Sequence, residues 1–331
     1  MKKIINDPNQ TVFDMLEGFT TAYPNRVKQL EGTSVIARKD APVANKVAIV
    51  SGGGSGHEPA HAGYIGKGML DAAVAGEMFT SPTPDQVLEA IKATDSGNGV
   101  FLIIKNYSGD VMNFEMAMEM AEAEGIQVEK VIVNDDVAVE DSEFTTGRLG
   151  IAGTIFVHKI AGAMAEAGAS LQEVKDMAER VVNHVRSMGM ALSSCTVPAV
   201  GKPSFELADN EMEIGIGIHG EAGIHRKPVG TADEIAEELT EKIITDLPYK
   251  EGNEVAVMVN GLGATPEMEL FIVNGKVQKI LHEKGIIVYR TFVGNFMTSL
   301  EMAGCSVTLL KLDSELKKCL DAPSDAIAFR V

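Results

Sequence analysis

The sequence predicts an α/β protein of two domains, each with a central mixed or mainly parallel sheet flanked by helices. Three observations carry the prediction. Strand-type and helix-type patterns alternate along the chain. The most apolar run, Val100-Phe101-Leu102-Ile103-Ile104, is continuous rather than alternating, which suits a strand covered on both faces. Finally, 331 residues are more than one ordinary core organises. The expected division is 1–188 for an N-terminal domain and 189–331 for a C-terminal one.

Taken in order, residues 9–22 form an amphipathic helix, with Val12, Phe13, Met15, Leu16 and Phe19 on one side and Pro24 beyond its end. Strands are expected at 35–37, 46–50, 72–75, 100–105 and 128–134, with helices at 85–93 and 110–123 between them. Two long helices, 154–167 and 171–188, then make a helical layer that closes the first domain. In the second, a strand at 213–218 precedes a helix at 231–247, which starts with Thr231 and carries Glu234 three residues on, a capping-box pattern. A strand at 254–259 and a helix at 266–284, interrupted at Asn274-Gly275, follow. Strands at 286–290, 306–310 and 325–330 complete the chain, with a short helix before the last. Alternation alone does not give strand order.

Composition narrows the function. A formal net charge of −18 disfavours nucleic acid or an anionic membrane as partner, since both need concentrated Lys and Arg. Trp is absent and aromatic residues make up 5%, which leaves little for stacking on bases or sugars. The start, Met1-Lys2-Lys3-Ile4-Ile5-Asn6-Asp7-Pro8, is basic but is cut short by Asp7 and Pro8, unlike a secretory signal. No run reaches the ~18 apolar residues of a membrane span, so a cytoplasmic location is expected. Cys195, Cys305 and Cys319 are odd in number and far apart, which speaks against disulfides or structural zinc.

Four stretches hold residues suited to chemistry. Ile216-Gly217-Ile218-His219-Gly220-Glu221 places one histidine, a nucleophile or base, where a strand breaks into a glycine-rich loop. On local sequence alone, such a histidine is better explained by a backbone hydrogen bond in a turn. Ser51-Gly52-Gly53-Gly54-Ser55-Gly56-His57-Glu58-Pro59 follows a strand, and such a turn offers backbone N–H groups to a polar ligand. It is neither of the usual nucleotide loops. With Gly52 and Gly54 as the first pair, the dinucleotide fingerprint finds His57 at its third glycine; Gly-Lys is followed only by Gly68, Pro203 or Val277. Lys105-Asn106-Tyr107-Ser108-Gly109-Asp110 lies at the carboxyl end of the most apolar strand, where open α/β sheets bind ligands, although Asp110 also suits a helix cap. Asn134-Asp135-Asp136, with Glu140 and Asp141, reads as an acidic surface loop rather than a calcium site. His61, His158, His184, His225 and His282 share no metal-ligand spacing, so no metal is expected.

Together the first three of these stretches, with Phe79-Thr80-Ser81-Pro82-Thr83-Pro84 and Thr196-Val197-Pro198-Ala199-Val200-Gly201-Lys202-Pro203, resemble the dihydroxyacetone-binding subunits of dihydroxyacetone kinases. The resemblance runs the length of the chain with the motifs in the family's order. It implies that His219 binds the carbonyl of dihydroxyacetone covalently as a hemiaminal. It implies that Gly54, Ser55, Gly56 and His57 contact the substrate, with His57 as a catalytic residue that hydrogen-bonds a substrate hydroxyl and exchanges its proton. Lys105 and Asp110 match the remaining substrate-binding residues, and Asp110 is the expected base for the hydroxyl that accepts phosphate.

The resemblance further implies the phosphoenolpyruvate-dependent type, because the chain has no room for the helical nucleotide domain of single-chain kinases. No cofactor is then expected on this chain. ADP or ATP with magnesium would sit on a companion subunit, recharged by a phosphotransferase-system protein, and the chain itself would be a homodimer. One departure is Leu149 in Gly147-Arg148-Leu149-Gly150, where the family usually has a second arginine. The alternative from another class is a relative that keeps the ligand site but acts as a co-activator of a transcription factor.

Overall fold

The computed structural model describes residues 2–139 and 147–331. Helix α1 (Thr11–Ala22) leads into β1 (Val27–Gln29), β2 (Val35–Arg38) and β3 (Ala48–Ser55). A short turn of helix and β4 (Gly66–Lys67) precede β5 (Ala72–Met78), α2 (Pro84–Thr94), β6 (Val100–Lys105), α3 (Ser108–Ala123) and β7 (Val128–Val133). These build a six-stranded sheet in the order β1-β2-β5-β3-β6-β7. From β5 through β7 the strands are parallel, and β1 and β2 form an antiparallel edge. The mixed sheet is the one predicted. Every residue of β3 and β6 is buried, as the unbroken apolar run required.

Helix α4 (Thr154–Glu166) is buried on nearly all sides and packs on α5 (Leu171–His184). Most of its residues are apolar or small, which suits an interior helix, and it lies in the largest core cluster with Ile103 of the first sheet and Met258 and Leu310 of the second. That cluster runs across both halves of the chain and ties them together. Helix α5 opens on a capping box between Ser170 and Glu173. It stops at His184, four residues short of the expectation. From Val185 the chain becomes β8 (Val185–Ala191), because those residues find an antiparallel partner in β13 (Gly304–Leu312). A short apolar run suits helix or strand until its partner is known. The division expected after residue 188 therefore falls inside a strand of the second sheet.

That sheet comprises β8, β9 (Glu211–Ile214), β10 (His225–Pro228), β11 (Glu254–Gly261), β12 (Ile287–Gly294) and β13, in the order β10-β9-β8-β13-β11-β12. It is antiparallel except for β11 against β12. Helix α6 (Ala232–Asp246) begins with the Thr231–Glu234 capping box read from the sequence. Helix α7 (Glu267–Glu283) runs without a break through Asn274-Gly275, contrary to expectation. A helix-interior glycine costs only about 1 kcal/mol, and Leu270, Val273, Val277, Ile280 and Leu281 bury that helix firmly enough to offset it. The strand expected at 213–218 ends at Ile214, where Gly215 takes φ +79° and turns the chain toward His219. After α8 (Ser314–Asp321), the closing strand shrinks to β14 (Asp325–Ala326), paired with β4. Lys159 of α4 donates to the carbonyls of Cys319 (2.7 Å) and Ala322 (2.7 Å), anchoring this C-terminal segment on the core.

Candidate active site

The carboxyl ends of β3 and β6 face the loop that follows β9, so the candidate residues of both halves converge at one place, as open α/β sheets favour. Strand β3 carries its glycines to the edge of the site. Gly53 has φ +149°, and a Cβ built there would lie 2.5 Å from Lys105 Nζ and 3.3 Å from Asp110 Oδ2. The lysine and aspartate thus approach backbone that only glycine leaves bare. At Gly54 a Cβ would fall 2.5 Å from the Thr80 nitrogen, so the Phe79–Thr80 turn closes directly over the loop. Ser55 Oγ is committed to structure, donating to the Gly76 carbonyl at 2.7 Å. The Gly56 N–H donates to Glu58 Oε1 at 3.1 Å.

His57 is fully buried. Its Nδ1–H donates to the Thr298 carbonyl (2.8 Å), its ring stacks on Phe79 (centroids 5.1 Å apart), and its Nε2 lies 3.0 Å from Nε2 of His219. His219 comes from the second half of the chain. Glu221 holds it twice, accepting Nδ1–H at Oε1 (2.7 Å) and the backbone N–H at Oε2 (2.9 Å). Tyr107 packs edge-on at 4.5 Å between centroids, and Phe79 at 5.2 Å.

These contacts fix the protons. A carbonyl and a carboxylate only accept, so Nδ1 of both rings carries hydrogen. The two Nε2 atoms would then meet lone pair to lone pair at 3.0 Å. One shared proton resolves this, making the pair a single cation balanced by Glu221. Desolvation, then the His219 and Lys105 charges, hold His57 well below the ordinary histidine range. Burial alone would raise the Glu221 carboxyl, but its bond to the His219 ring and the charge there bring it below the usual range.

Lys105 and Asp110 are buried beside Gly53, with Nζ 3.6 Å from Oδ2. Lys105 Nζ also donates to the Gly52 carbonyl (3.2 Å) and to Nε2 of His61 (2.9 Å). Burial lowers the lysine, and the Asp110 charge beside it works against that. Asp110 is not the cap of its helix: α3 starts at Ser108 after Tyr107, and Asp110 sits in its first turn.

The acidic loop needs correction. Asp135 and Asp136 are buried, not at the surface. Asp135 accepts the backbone N–H groups of Ile151 (2.8 Å) and Gly153 (2.7 Å), where free donors at the approach to α4 attract a carboxylate. Desolvation raises Asp136 to about 8. Glu140 and Asp141 lie outside the described residues. In the Gly147–Gly150 loop, Arg148 is paired with Asp246 of α6, which also binds Arg186 at 2.6 Å. Among the described residues no cluster of His, Cys, Asp and Glu suits a metal ion, and no helix is long and apolar enough to cross a membrane.

A family model, the Dak1 domain, matches residues 17–328. The chain belongs to the Dak1 family. Over 330 residues, 99% of this chain and 100% of the relative, it is 55% identical to "PTS-dependent dihydroxyacetone kinase 1, dihydroxyacetone-binding subunit DhaK" of Listeria innocua. Among solved structures, the dihydroxyacetone kinase of C. freundii in complex with AMP-PNP and Mg2+ superposes with TM-score 0.92 at 36% identity. That match covers 99% of this chain and 61% of the kinase chain. The dihydroxyacetone kinase operon co-activator Dha-DhaQ superposes with TM-score 0.90 at 38% identity, covering 98% of each chain.

In this Dak1 chain the structure brings together His57, Lys105, Asp110, His219 and the Gly54–Gly56 loop, all singled out in the sequence. Sequence reasoning assigned no role to Glu221, Tyr107, Phe79, Thr298 or His61. Glu221 had a local signal, since it stands two residues after the histidine on a glycine-flexed turn. Thr298 contributes a carbonyl, which leaves no trace in residue type.

Proposed function

We propose that this Dak1 protein is the acceptor-binding subunit of a phosphoenolpyruvate-dependent dihydroxyacetone kinase, with His219 as covalent anchor of the ketone. The observation that carries the reading is the Glu221–His219–His57 array, which presents one nucleophilic nitrogen and one mobile proton at the same place. A short ketone placed on His219 replaces the ring-to-ring hydrogen bond. The proton shared by the two rings passes to His57, which frees the His219 Nε2 lone pair to form the C–N bond; as the C=O π bond breaks, His57 gives that proton to the carbonyl oxygen. The product is a hemiaminal whose imidazolium charge is still balanced by Glu221. A polyol such as glycerol has no carbonyl to offer.

Once the ketone is tethered, its terminal hydroxyl reaches the second half of the site. Asp110 accepts the hydroxyl proton as the oxygen forms a bond to the phosphoryl group, and the bond from phosphorus to its donor breaks. The Lys105 ammonium stabilises charge on the substrate oxygen. Transfer of this kind depends mostly on positioning and electrostatics, and the Gly54–Gly56 loop is assigned to the substrate's oxygens. The phosphoryl donor, ATP with magnesium, belongs on a companion subunit; transfer leaves ADP there, which a phosphotransferase-system protein recharges to ATP. The chain is assigned to the cytoplasm as a homodimer.

The co-activator reading draws on the likeness to Dha-DhaQ. Asp110, buried against Lys105, favours the kinase, because a base is needed for turnover and not for retention of a ligand. The test is turnover of dihydroxyacetone by purified protein with a nucleotide-loaded companion subunit. Wild type is expected to form dihydroxyacetone phosphate and His219→Ala to lose this. Asp110→Asn is expected to keep the adduct and lose turnover. Adduct formation without turnover in the wild type favours the co-activator.

A further inference from the structure

Behind the site lies a second histidine pair that the mechanism above does not use. His61, in the segment after β3, and His158, on α4, are buried with Lys105. Nε2 of His61 is 2.9 Å from Lys105 Nζ, and its Nδ1 is 3.1 Å from Nε2 of His158. Nδ1 of His158 is buried and has no hydrogen-bond partner among the described residues.

The hydrogen-bond inventory orders this chain. An ammonium only donates, so Nε2 of His61 accepts and its hydrogen sits on Nδ1. That hydrogen is given to Nε2 of His158, which leaves the last hydrogen on Nδ1 of His158, buried and without a partner among the described residues. The other end of the chain faces the site. The Lys105 ammonium has three hydrogens: Gly52 takes one at 3.2 Å and His61 another at 2.9 Å. The third points toward Asp110, which at 3.6 Å is too far for a full hydrogen bond and leaves this hydrogen available to a substrate oxygen.

We propose that His61, its tautomer pinned by His158, is the positioning residue for Lys105. By accepting one N–H it aims the remaining one at Asp110 and the reacting hydroxyl. Among the described residues, four ionisable groups face Lys105: Asp110 from α3, His57 and His61 from the segment after β3, and His158 from α4. Asp110 is the one anion, and it is neutralised when it takes the substrate proton. A neutral acceptor at His61 keeps the ammonium in place through that step. Burial and the nearby Lys105 charge keep His61 well below the ordinary histidine range, and burial brings His158 to about 3. Neither ring competes with Lys105 for its proton.

The inference rests on the kinase reading, and the test separates the two. In His61→Asn the amide falls near the old Nδ1, keeping a bond to His158 and leaving Lys105 without its acceptor. In His61→Gln a carbonyl falls near the old Nε2 and serves Lys105. With the reconstituted kinase, both variants are expected to form the His219 adduct with wild-type affinity. His61→Asn is expected to lose kcat by about tenfold or more, the scale of one hydrogen bond to a charged group. The alkaline limb of its pH profile moves to lower pH. His61→Gln stays near wild type on both counts. Wild-type kcat and an unmoved limb in His61→Asn, or an equal loss in His61→Gln, overturn the proposal. Absence of adduct in the wild type instead overturns the parent reading. In that case the proposal is still read from the 15Nζ titration of Lys105, which His61→Asn moves downward and which, if unmoved, refutes it. Should His61→Asn not fold, His158→Leu carries the test by releasing the tautomer. It is expected to lower kcat and shift the limb in the same direction, and wild-type behaviour overturns the proposal.

Discussion

Removing the Glu221 carboxylate tests the preparation of His219 without touching the reacting nitrogen. The carboxylate accepts the ring Nδ1–H at 2.7 Å and the backbone N–H of the same residue at 2.9 Å. A hydrogen bond to a charged group contributes about 1.5–3 kcal/mol. The Glu221 side chain is 34% open to solvent, which screens its charge and favours the lower end of that range. Glu221→Ala is therefore expected to weaken adduct formation by about tenfold, up to about a hundredfold. Glu221→Gln keeps an oxygen for Nδ1–H but loses the charge, roughly half the interaction, so about fivefold is expected. The assay is a titration with carbonyl-13C-labelled dihydroxyacetone, following conversion of the carbonyl signal to that of a carbon bonded to nitrogen and oxygen. Circular dichroism of each variant separates misfolding from lost affinity. Adduct formation by Glu221→Ala with wild-type affinity would refute the role given to this carboxylate and the proton count built on it.

Other consequences follow from the same geometry. Gly53→Ala places a methyl 2.5 Å from Lys105 Nζ on backbone at φ +149°. It is expected to lower kcat by about tenfold or more while His219 still forms its adduct, as the ammonium is displaced by about an ångström. Desolvation raises Asp136 to about 8, so the folded protein holds a proton that the unfolded chain has released. That contribution to stability fades as pH rises from the ordinary carboxylate range toward 8. Denaturant unfolding across this window is expected to show a shallower decline for Asp136→Asn than for wild type.

Regular structure was legible where local pattern and burial agree. Val100–Lys105 is apolar without alternation and became a strand buried on both faces. Thr231 and Glu234 declared the start of a helix through their own side chains. What failed were stretches settled by distant partners. Val185–Met188 continues a helical pattern, yet pairing with Leu310–Val307 of β13 draws it into a sheet. Asp135 and Asp136 read as surface acids because nothing nearby in sequence announces the N–H groups of Ile151 and Gly153. In the site, residue types revealed His57, Lys105, Asp110 and His219. Their relation did not show, because a 3.0 Å contact between residues 57 and 219 belongs to the tertiary fold. The Thr298 carbonyl and the His61–His158 pair stayed hidden for the same reason.

The covalent bond at His219 is the central claim, and a crystal structure of the protein soaked with dihydroxyacetone tests it most directly. The account predicts continuous density between Nε2 of His219 and a tetrahedral carbon. The new hydroxyl should lie within hydrogen-bond reach of His57, and the terminal hydroxyl should face Asp110 and Lys105. A planar ketone resting free in the site, or a bond to any other side chain, would contradict it.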